Sequence, residues 1–79
     1  MARVLLFGPL RDLAGWRERE WPAATIAELR RALAASDAAL GAALAAPGVQ
    51  VALDQAIVRG DAPLAAGAEV AFLPPMSGG

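Results

Sequence analysis

The apolar segment Val70-Ala71-Phe72-Leu73, followed directly by Pro74-Pro75, decides the fold of this chain. A short apolar run that ends at proline predicts a buried strand, because proline cannot donate a hydrogen bond to a sheet ladder. The segment Val4-Leu5-Leu6-Phe7 has the same character and stops at Gly8-Pro9. We therefore predict that both strands lie side by side in the middle of one sheet. The long stretch between them supplies the crossover that parallel neighbours need.

The remaining elements follow from spacing and from turn residues. Thr25 with Glu28 three residues later predicts a capping box, and Ile26, Leu29 and Leu33 follow at helical spacing. In chain order we predict a helical turn over 10–14, an edge strand over 16–21, a helix over 26–35, a weaker helix capped by Ser36-Asp37 and interrupted at Gly41, and strands over 49–53, 56–58 and 69–73. This order predicts an α+β fold of the β-grasp (ubiquitin-like) class, with a mixed sheet and one main helix on one face. Residues 1–73 form the domain, and residues 74–79 form a flexible tail.

Two tryptophans flank the edge strand, and charges of alternating sign lie between them. Trp16 and Trp21 would fall on opposite faces of a regular strand, so its register is ambiguous. We expect both rings to pack against the core or its rim rather than to bind a ligand. The alternating charges are most simply a solvated edge.

Composition excludes several classes of function. The chain has 79 residues, of which 57% are hydrophobic and 19% charged, with a net charge of −1, which is typical of one globular domain. No basic patch favours nucleic acid, and no run approaches the roughly 20 apolar residues of a membrane span. No segment resembles a signal peptide, so we expect a cytoplasmic protein with neither a nucleic-acid nor a membrane partner.

The missing residue types are equally informative. The sequence contains no Cys and no His, which excludes a thiol nucleophile, a Ser-His-Asp triad and the commonest metal ligands. Its acidic residues are scattered and lack calcium-loop spacing. We therefore expect no metal site and no bound cofactor.

The last six residues are Pro74-Pro75-Met76-Ser77-Gly78-Gly79. The two prolines make the start of this segment stiff, the two glycines at its end have no side chains, and none of its side chains is charged. At roughly 3.3 Å per residue it can reach about 20 Å, enough to thread a narrow channel and deliver the carboxylate of Gly79. Chain ends are often small and frayed, however, so these residues alone leave an inert tail open.

Strand phase predicts a surface for a partner. If Val70 and Phe72 face the helix, the alternate residues of the central strands form an outer apolar surface. Its predicted members are Leu5, Phe7, Ile57, Ala71 and Leu73, of which Phe7, Ile57 and Leu73 are the partner-binding candidates. An open apolar face on a small domain is typical of a docking site. A loop or a second copy of the chain that covers this face is the alternative.

The chain resembles the small subunits of molybdopterin synthase, which are ubiquitin-like sulfur carriers. The ending Leu73-Pro74-Pro75-Met76-Ser77-Gly78-Gly79 is the specific part of the resemblance, since Gly-Gly alone is shared by all ubiquitin-like carriers. The other matching stretches are residues 4–7, 10–15, 25–30, 51–55 and 63–72. One departure is Asp54, where the family usually has Asn before Gln. We expect it to affect a turn and not the chemistry.

The resemblance implies a defined cycle. An E1-like activating enzyme uses ATP to adenylate Gly79, and sulfur then displaces AMP to leave a thiocarboxylate. The tail, through Pro74, Pro75, Met76, Ser77 and Gly78, enters the large synthase subunit, where sulfur passes to a cyclic pyranopterin phosphate. The family also implies a heterotetramer of two small and two large subunits. Because the chain has no Cys, only a carboxyl group can carry sulfur covalently, and the carboxyl group of Gly79 is the one that we expect on a mobile segment.

Three further residues and three rival functions remain open. Arg11, Asp12 and Arg59 could contact the activating enzyme, although surface salt bridges are the simpler role.

The first rival function is sulfur carriage for another pathway, such as thiamine synthesis, tRNA thiolation or cysteine synthesis. The second is a protein modifier that attaches to lysines of other proteins. The third is an interaction domain with an inert tail.

Overall fold

A computed structural model describes residues 1–75, so the predicted tail positions Met76, Ser77, Gly78 and Gly79 lie outside the described residues. The elements in chain order are β1 (Ala2–Leu6), α1 (Pro9–Ala14), β2 (Glu18–Trp21), α2 (Ile26–Ser36), α3 (Ala38–Leu44), β3 (Gln50–Leu53), β4 (Ala56–Val58) and β5 (Glu69–Leu73). The predicted order of strands and helices is confirmed, with boundaries shifted by one or two residues at several ends.

The five strands form one mixed sheet in the order β2-β1-β5-β3-β4. β1 and β5 are parallel neighbours at its centre, and the other neighbouring pairs are antiparallel. The prediction from the two apolar runs is therefore confirmed. The three helices and the other three strands lie between β1 and β5 in sequence, and they provide the crossover that a parallel pair requires.

The core lies between one face of this sheet and the helices. Helix α2 contributes Ile26, Leu29 and Leu33, all of them at most 1% exposed. The other buried members of this cluster are Ala2, Val4, Leu6, Leu10, Leu40, Leu44, Val51, Val70 and Phe72. Val70 and Phe72 thus face the helices, as strand phase predicts. Each large aliphatic side chain buried here contributes roughly 1.5–3 kcal/mol.

The start of α2 is capped, but not by the full capping box. Thr25 Oγ1 accepts a hydrogen bond from Glu28 N at 3.1 Å, which confirms Thr25 as the N-cap. Among residues 1–75, the Glu28 carboxylate accepts no return hydrogen bond from Thr25 N. Instead, Asp61 Oδ1 accepts from Ala27 N at 2.8 Å, and the Ala62 carbonyl accepts from Ile26 N at 3.0 Å. The loop before β5 therefore satisfies donors that a helix start leaves unpaired.

The predicted interruption at Gly41 is wrong, because Gly41 lies inside α3. A Cβ built on Gly41 would overlap Ala34 Cβ in α2. The two helices therefore approach each other so closely that a glycine is needed at the contact. Tertiary packing outweighs the low helix propensity of glycine, which costs about 1 kcal/mol relative to alanine.

The tryptophans flank β2 and pack together. β2 begins at Glu18, so Trp16 precedes the strand and strand alternation does not apply to it. Its ring stacks on that of Trp21 with a centroid distance of 6.3 Å, and the Arg19 guanidinium lies 5.0 Å from the Trp16 ring. Both rings pack against the core, which confirms the predicted packing role.

The turn between β3 and β4 is tight and anchored. Its two central residues, Asp54 and Gln55, have φ of 48° and 71°, as a two-residue hairpin turn of type I′ requires. Asp54 Oδ1 accepts from Glu69 N at 2.9 Å, while Asp54 N donates to the Glu69 carbonyl at 2.8 Å. Asp in place of Asn keeps both the left-handed conformation and the acceptor.

Candidate functional site

A row of apolar side chains crosses the sheet face opposite the helices. Leu5 of β1 lies opposite Ala71 of β5, Ala71 opposite Ala52 of β3, and Ala52 opposite Ile57 of β4. With strands about 4.8 Å apart, the row spans roughly 14 Å. This surface is the outer sheet face, made of Leu5, Phe7, Ala52, Ile57, Ala71 and Leu73.

The outer sheet face is shallow, with small residues at its centre. Ala52 and Ala71 are only 8% and 6% exposed because larger neighbours flank them, whereas Ile57 is 50% exposed and Phe7 44%. Leu5 and Leu73 are half-buried. Phe7 follows β1 directly, next to the pairing of Leu6 with Phe72, which brings it beside Leu73. The structure therefore places Phe7, Ile57 and Leu73 on one face, while their role in binding a partner stays a prediction.

Ala52 belongs to this face although the sequence analysis did not select it. The alternation of Val49-Gln50-Val51-Ala52-Leu53 places Ala52 opposite in phase to Val51, so the signal was present. A side chain as small as that of Ala52 is a weak apolar signal in a sequence.

Charged residues border the apolar row at the end away from the tail. Arg3 Nη2 donates to Glu69 Oε1 at 2.9 Å, and Arg3 Nε lies 3.6 Å from Glu18 Oε2. The hydrogen bond to Glu69, followed by the charge of Glu18, raises the pKa of Arg3. The group is exposed, so these ion pairs contribute little to stability. Their effect is to make the two ends of the face different, which favours one orientation of a docked partner.

Comparison with known proteins decides the family. The model of the ThiS family matches residues 4–79. The chain belongs to the ThiS family. It is also 38% identical over 81 aligned positions to the molybdopterin synthase sulfur carrier subunit of Escherichia coli (strain K12), and the alignment covers all of both chains.

Solved structures agree with the fold. The crystal structure of small archaeal modifier protein 1 from Haloferax volcanii matches with a TM-score of 0.85 and 26% identity, covering 99% of this chain and 98% of that one. A complex of subunits 1 and 2 of the molybdopterin-converting factor from Helicobacter pylori 26695 contains a chain with a TM-score of 0.73 and 25% identity, covering 99% and 97%. The β-grasp class and the resemblance inferred from the sequence are thus confirmed.

In this ThiS-family chain, Pro74 and Pro75 form the root of the tail, and they leave the sheet at the same end as Phe7. β5 ends at Leu73, which lies opposite Gln50 of β3. Pro74 is half-buried and Pro75 is exposed. The predicted roles of Met76, Ser77, Gly78 and Gly79 fall outside the described residues and stay predictions.

The three uncertain charged residues lie at two places. Arg11 and Asp12 are exposed on α1, with 3.7 Å between Arg11 Nε and Asp12 Oδ1, so they form a surface ion pair. Arg59 follows β4 and lines an open cleft of about 370 Å³ together with Arg30 and Ile57. The ion pair accounts for Arg11 and Asp12 without a partner, whereas a contact of any of the three with the activating enzyme stays a prediction.

Arg30 of α2 contacts the core although it is charged. Its guanidinium lies 5.4 Å from the centre of the Phe72 ring, and Nη1 donates to the Leu44 carbonyl at 3.1 Å. A guanidinium within about 6 Å of the centre of an aromatic ring makes a favourable cation–π contact. Arg30 therefore links α2 to both α3 and β5.

Within residues 1–75, no cluster of three or more acidic, His or Cys side chains could hold a metal ion. In the same range, no helix is long and apolar enough to span a bilayer. The expected absence of a metal, a cofactor and a membrane partner stays a prediction.

Proposed function

We propose that this chain is the sulfur carrier subunit of a molybdopterin synthase. The observation that carries the proposal is the 38% identity over the full length of both chains to the Escherichia coli subunit of that name. The ThiS-family match, which includes the Gly78-Gly79 ending, supports the broader function of a sulfur carrier.

The proposed chemistry takes place on the carboxylate of Gly79. A carboxylate is a poor acyl donor, so an E1-like enzyme joins it to the AMP portion of ATP and releases pyrophosphate. Hydrosulfide from the sulfur donor then attacks the acyl carbon, expels AMP and loses its proton, leaving a thiocarboxylate. When the sulfur attacks a carbon of the pyranopterin, the C–O bond of that carbon breaks and the oxygen leaves. Water then cleaves the acyl–sulfur bond, which leaves the sulfur on the pterin and regenerates the Gly79 carboxylate. A terminal glycine suits these steps because no Cβ crowds the acyl carbon.

The outer sheet face is the proposed contact with the large subunit. It is apolar at its centre and charged at one end, and it adjoins the root of the tail. A partner docked on this face would receive the tail at its edge. The related chain of Helicobacter pylori, solved in complex with the second subunit of its converting factor, supports a direct contact of this kind. Side chains that bind the pterin are then expected mostly on the large subunit, in a heterotetramer in the cytoplasm.

Reconstitution tests this function. The chain is incubated with an E1-like enzyme, ATP and a sulfur donor, and then with the large subunit and cyclic pyranopterin phosphate. We expect molybdopterin to form only when all components are present, in proportion to the thiocarboxylate consumed. A thiocarboxylate that persists with the large subunit but is consumed by a thiazole, tRNA or cysteine-forming enzyme would assign the chain to another sulfur pathway.

A protein modifier is the second candidate, favoured by the structural likeness to small archaeal modifier protein 1. In that case a lysine amine attacks the acyl-adenylate and expels AMP, so that the acyl group of Gly79 passes to nitrogen instead of to sulfur. An isopeptide-linked ladder in cells of the source organism, resistant to thiols and dependent on Gly79, would support it. Because the two functions share the activation step, molybdopterin formation and the isopeptide-linked ladder are to be measured in the same strain.

A further inference from the structure

Two glycines from separate loops flank the root of the tail. Gly8 precedes α1, and an ideal Cβ on it would lie 3.4 Å from Pro74 Cγ. Gly48 lies between α3 and β3, and an ideal Cβ there would lie 2.9 Å from Pro75 Cβ and 3.6 Å from Pro75 Cα. Gly8 and Gly48 are called the glycine pair below. Both prolines therefore lie against backbone that carries no side chain.

The conformation of the glycine pair is fixed locally. Gly8 has φ of 56° and Gly48 has φ of 88°, values that residues with a Cβ rarely adopt. The Gly8 carbonyl accepts hydrogen bonds from the backbone N–H groups of Arg11 and Asp12 at 3.1 and 3.2 Å. Beside Gly48, Val49 N donates to the Ala46 carbonyl at 3.3 Å. Both loops thus present a defined surface to the tail rather than a loose one.

We propose that Gly8 and Gly48 are positioning residues, which hold Pro74 and Pro75 and set the direction in which the tail leaves β5. This inference rests on the proposed function, since the direction matters only if the tail must enter a partner. Proline restricts its own backbone, and contact with the glycine pair restricts the direction of Pro74 and Pro75. A segment that is ordered before binding loses less conformational freedom when the partner captures it.

The geometry gives the size of the expected disturbance. Non-bonded carbons prefer separations of about 3.5–4.0 Å, so a Cβ on Gly48 displaces Pro75 by roughly 0.6 Å. Pro75 lies two residues beyond the end of β5, so this displacement acts at the start of the tail. Misplacement of a reacting group by about 1 Å can lower the rate of a positioned reaction roughly a hundredfold. If one backbone residue is no longer ordered before binding, the affinity for the large subunit falls about tenfold.

The test compares Gly48→Ala with the matched control Gly67→Ala. Gly67 also has positive φ, 77°, but a Cβ there would meet nothing within 4 Å, so the control reproduces the backbone strain without the contact. Calorimetric titration of each full-length variant with the large subunit gives Kd, and thermal unfolding gives stability. We expect G48A to bind about tenfold more weakly than the wild type, and G67A to bind within twofold of it. Equal Kd values for G48A and the wild type would overturn the proposal, as would equal losses in both variants.

A double-mutant cycle separates the contact from a general effect on the loop. Pro75→Gly removes the Cβ that a side chain at position 48 would meet, so G48A should cost nothing further in the P75G chain. Additive losses would show that G48A acts without Pro75 and would overturn the proposal. If G48A does not fold, the test rests on P75G alone. We expect P75G to bind the large subunit about tenfold more weakly than the wild type, and an unchanged Kd would overturn the proposal. Failure of the wild-type chain to bind the large subunit would instead refute the proposed function.

Discussion

Replacement of Ile57 by Asp separates binding from folding on the outer sheet face. Ile57 is half-exposed on the edge strand β4, at the end of the apolar row. Complete burial of an isoleucine side chain is worth roughly 1.5–3 kcal/mol, so burying the exposed half against a partner contributes about 1 kcal/mol. A carboxylate left at the interface without a partner costs at least about 1.5 kcal/mol more. The sum, about 2.5 kcal/mol, corresponds to a Kd for the large subunit that is roughly sixtyfold higher.

The chain offers a matched control for this substitution. Leu13 on α1 is 48% exposed, close to the 50% of Ile57, but it does not belong to the outer sheet face. Both Asp variants should lose about 1–2 kcal/mol of folding stability, a loss that a domain stable by about 5–15 kcal/mol tolerates. Calorimetric titration should show the large loss of affinity for I57D alone. Equal affinities for I57D and L13D would refute the assignment of the face.

Four further predictions follow. Gly79→Ala adds a Cβ beside the acyl carbon and should slow thiocarboxylate formation by at least about tenfold in a mass-based time course; a wild-type rate would contradict the role of Gly79. Gly78→Val should still form thiocarboxylate but should fail to transfer sulfur in the reconstituted synthase, and normal transfer would argue against a narrow channel. Gly41→Ala should lower the free energy of unfolding by about 1–3 kcal/mol, because the new Cβ overlaps Ala34; denaturant titration that shows a gain would mean that helix propensity dominates. Thr25→Ala removes the side-chain acceptor for Glu28 N and should cost about 1 kcal/mol in the same titration, whereas no change would show that Asp61 alone caps the helix.

Local sequence patterns specified most of the fold. Two apolar runs that end at proline or glycine placed β1 and β5 at the centre of the sheet, and Thr25 placed the start of α2. These features depend on residues that are close together in the sequence, so the sequence alone predicts them. The hairpin turn at Asp54-Gln55 belongs to the same class, because its residues are chosen by their own backbone conformation.

What the sequence did not reveal depends on contacts between distant segments. Gly41 looked like a helix interruption because propensity describes one residue, whereas its actual role depends on Ala34 in another helix. The contact of the Arg30 guanidinium with the Phe72 ring joins α2 to β5, so the helical spacing around Arg30 does not predict it. The approach of Gly8 and Gly48 to the tail root likewise joins three segments far apart in sequence. Predicting these contacts requires the packing itself.

The central claim is that sulfur is carried on the carboxylate of Gly79, and mass spectrometry tests it most directly. After incubation with the E1-like enzyme, ATP and a sulfur donor, trypsin cleavage after Arg59 releases residues 60–79 as one peptide, because they contain no Lys or Arg. That peptide should be about 16 Da heavier, the difference between sulfur and oxygen, and fragmentation should place the gain on Gly79. An unchanged peptide, or a gain on Asp61 or Glu69, would contradict the account.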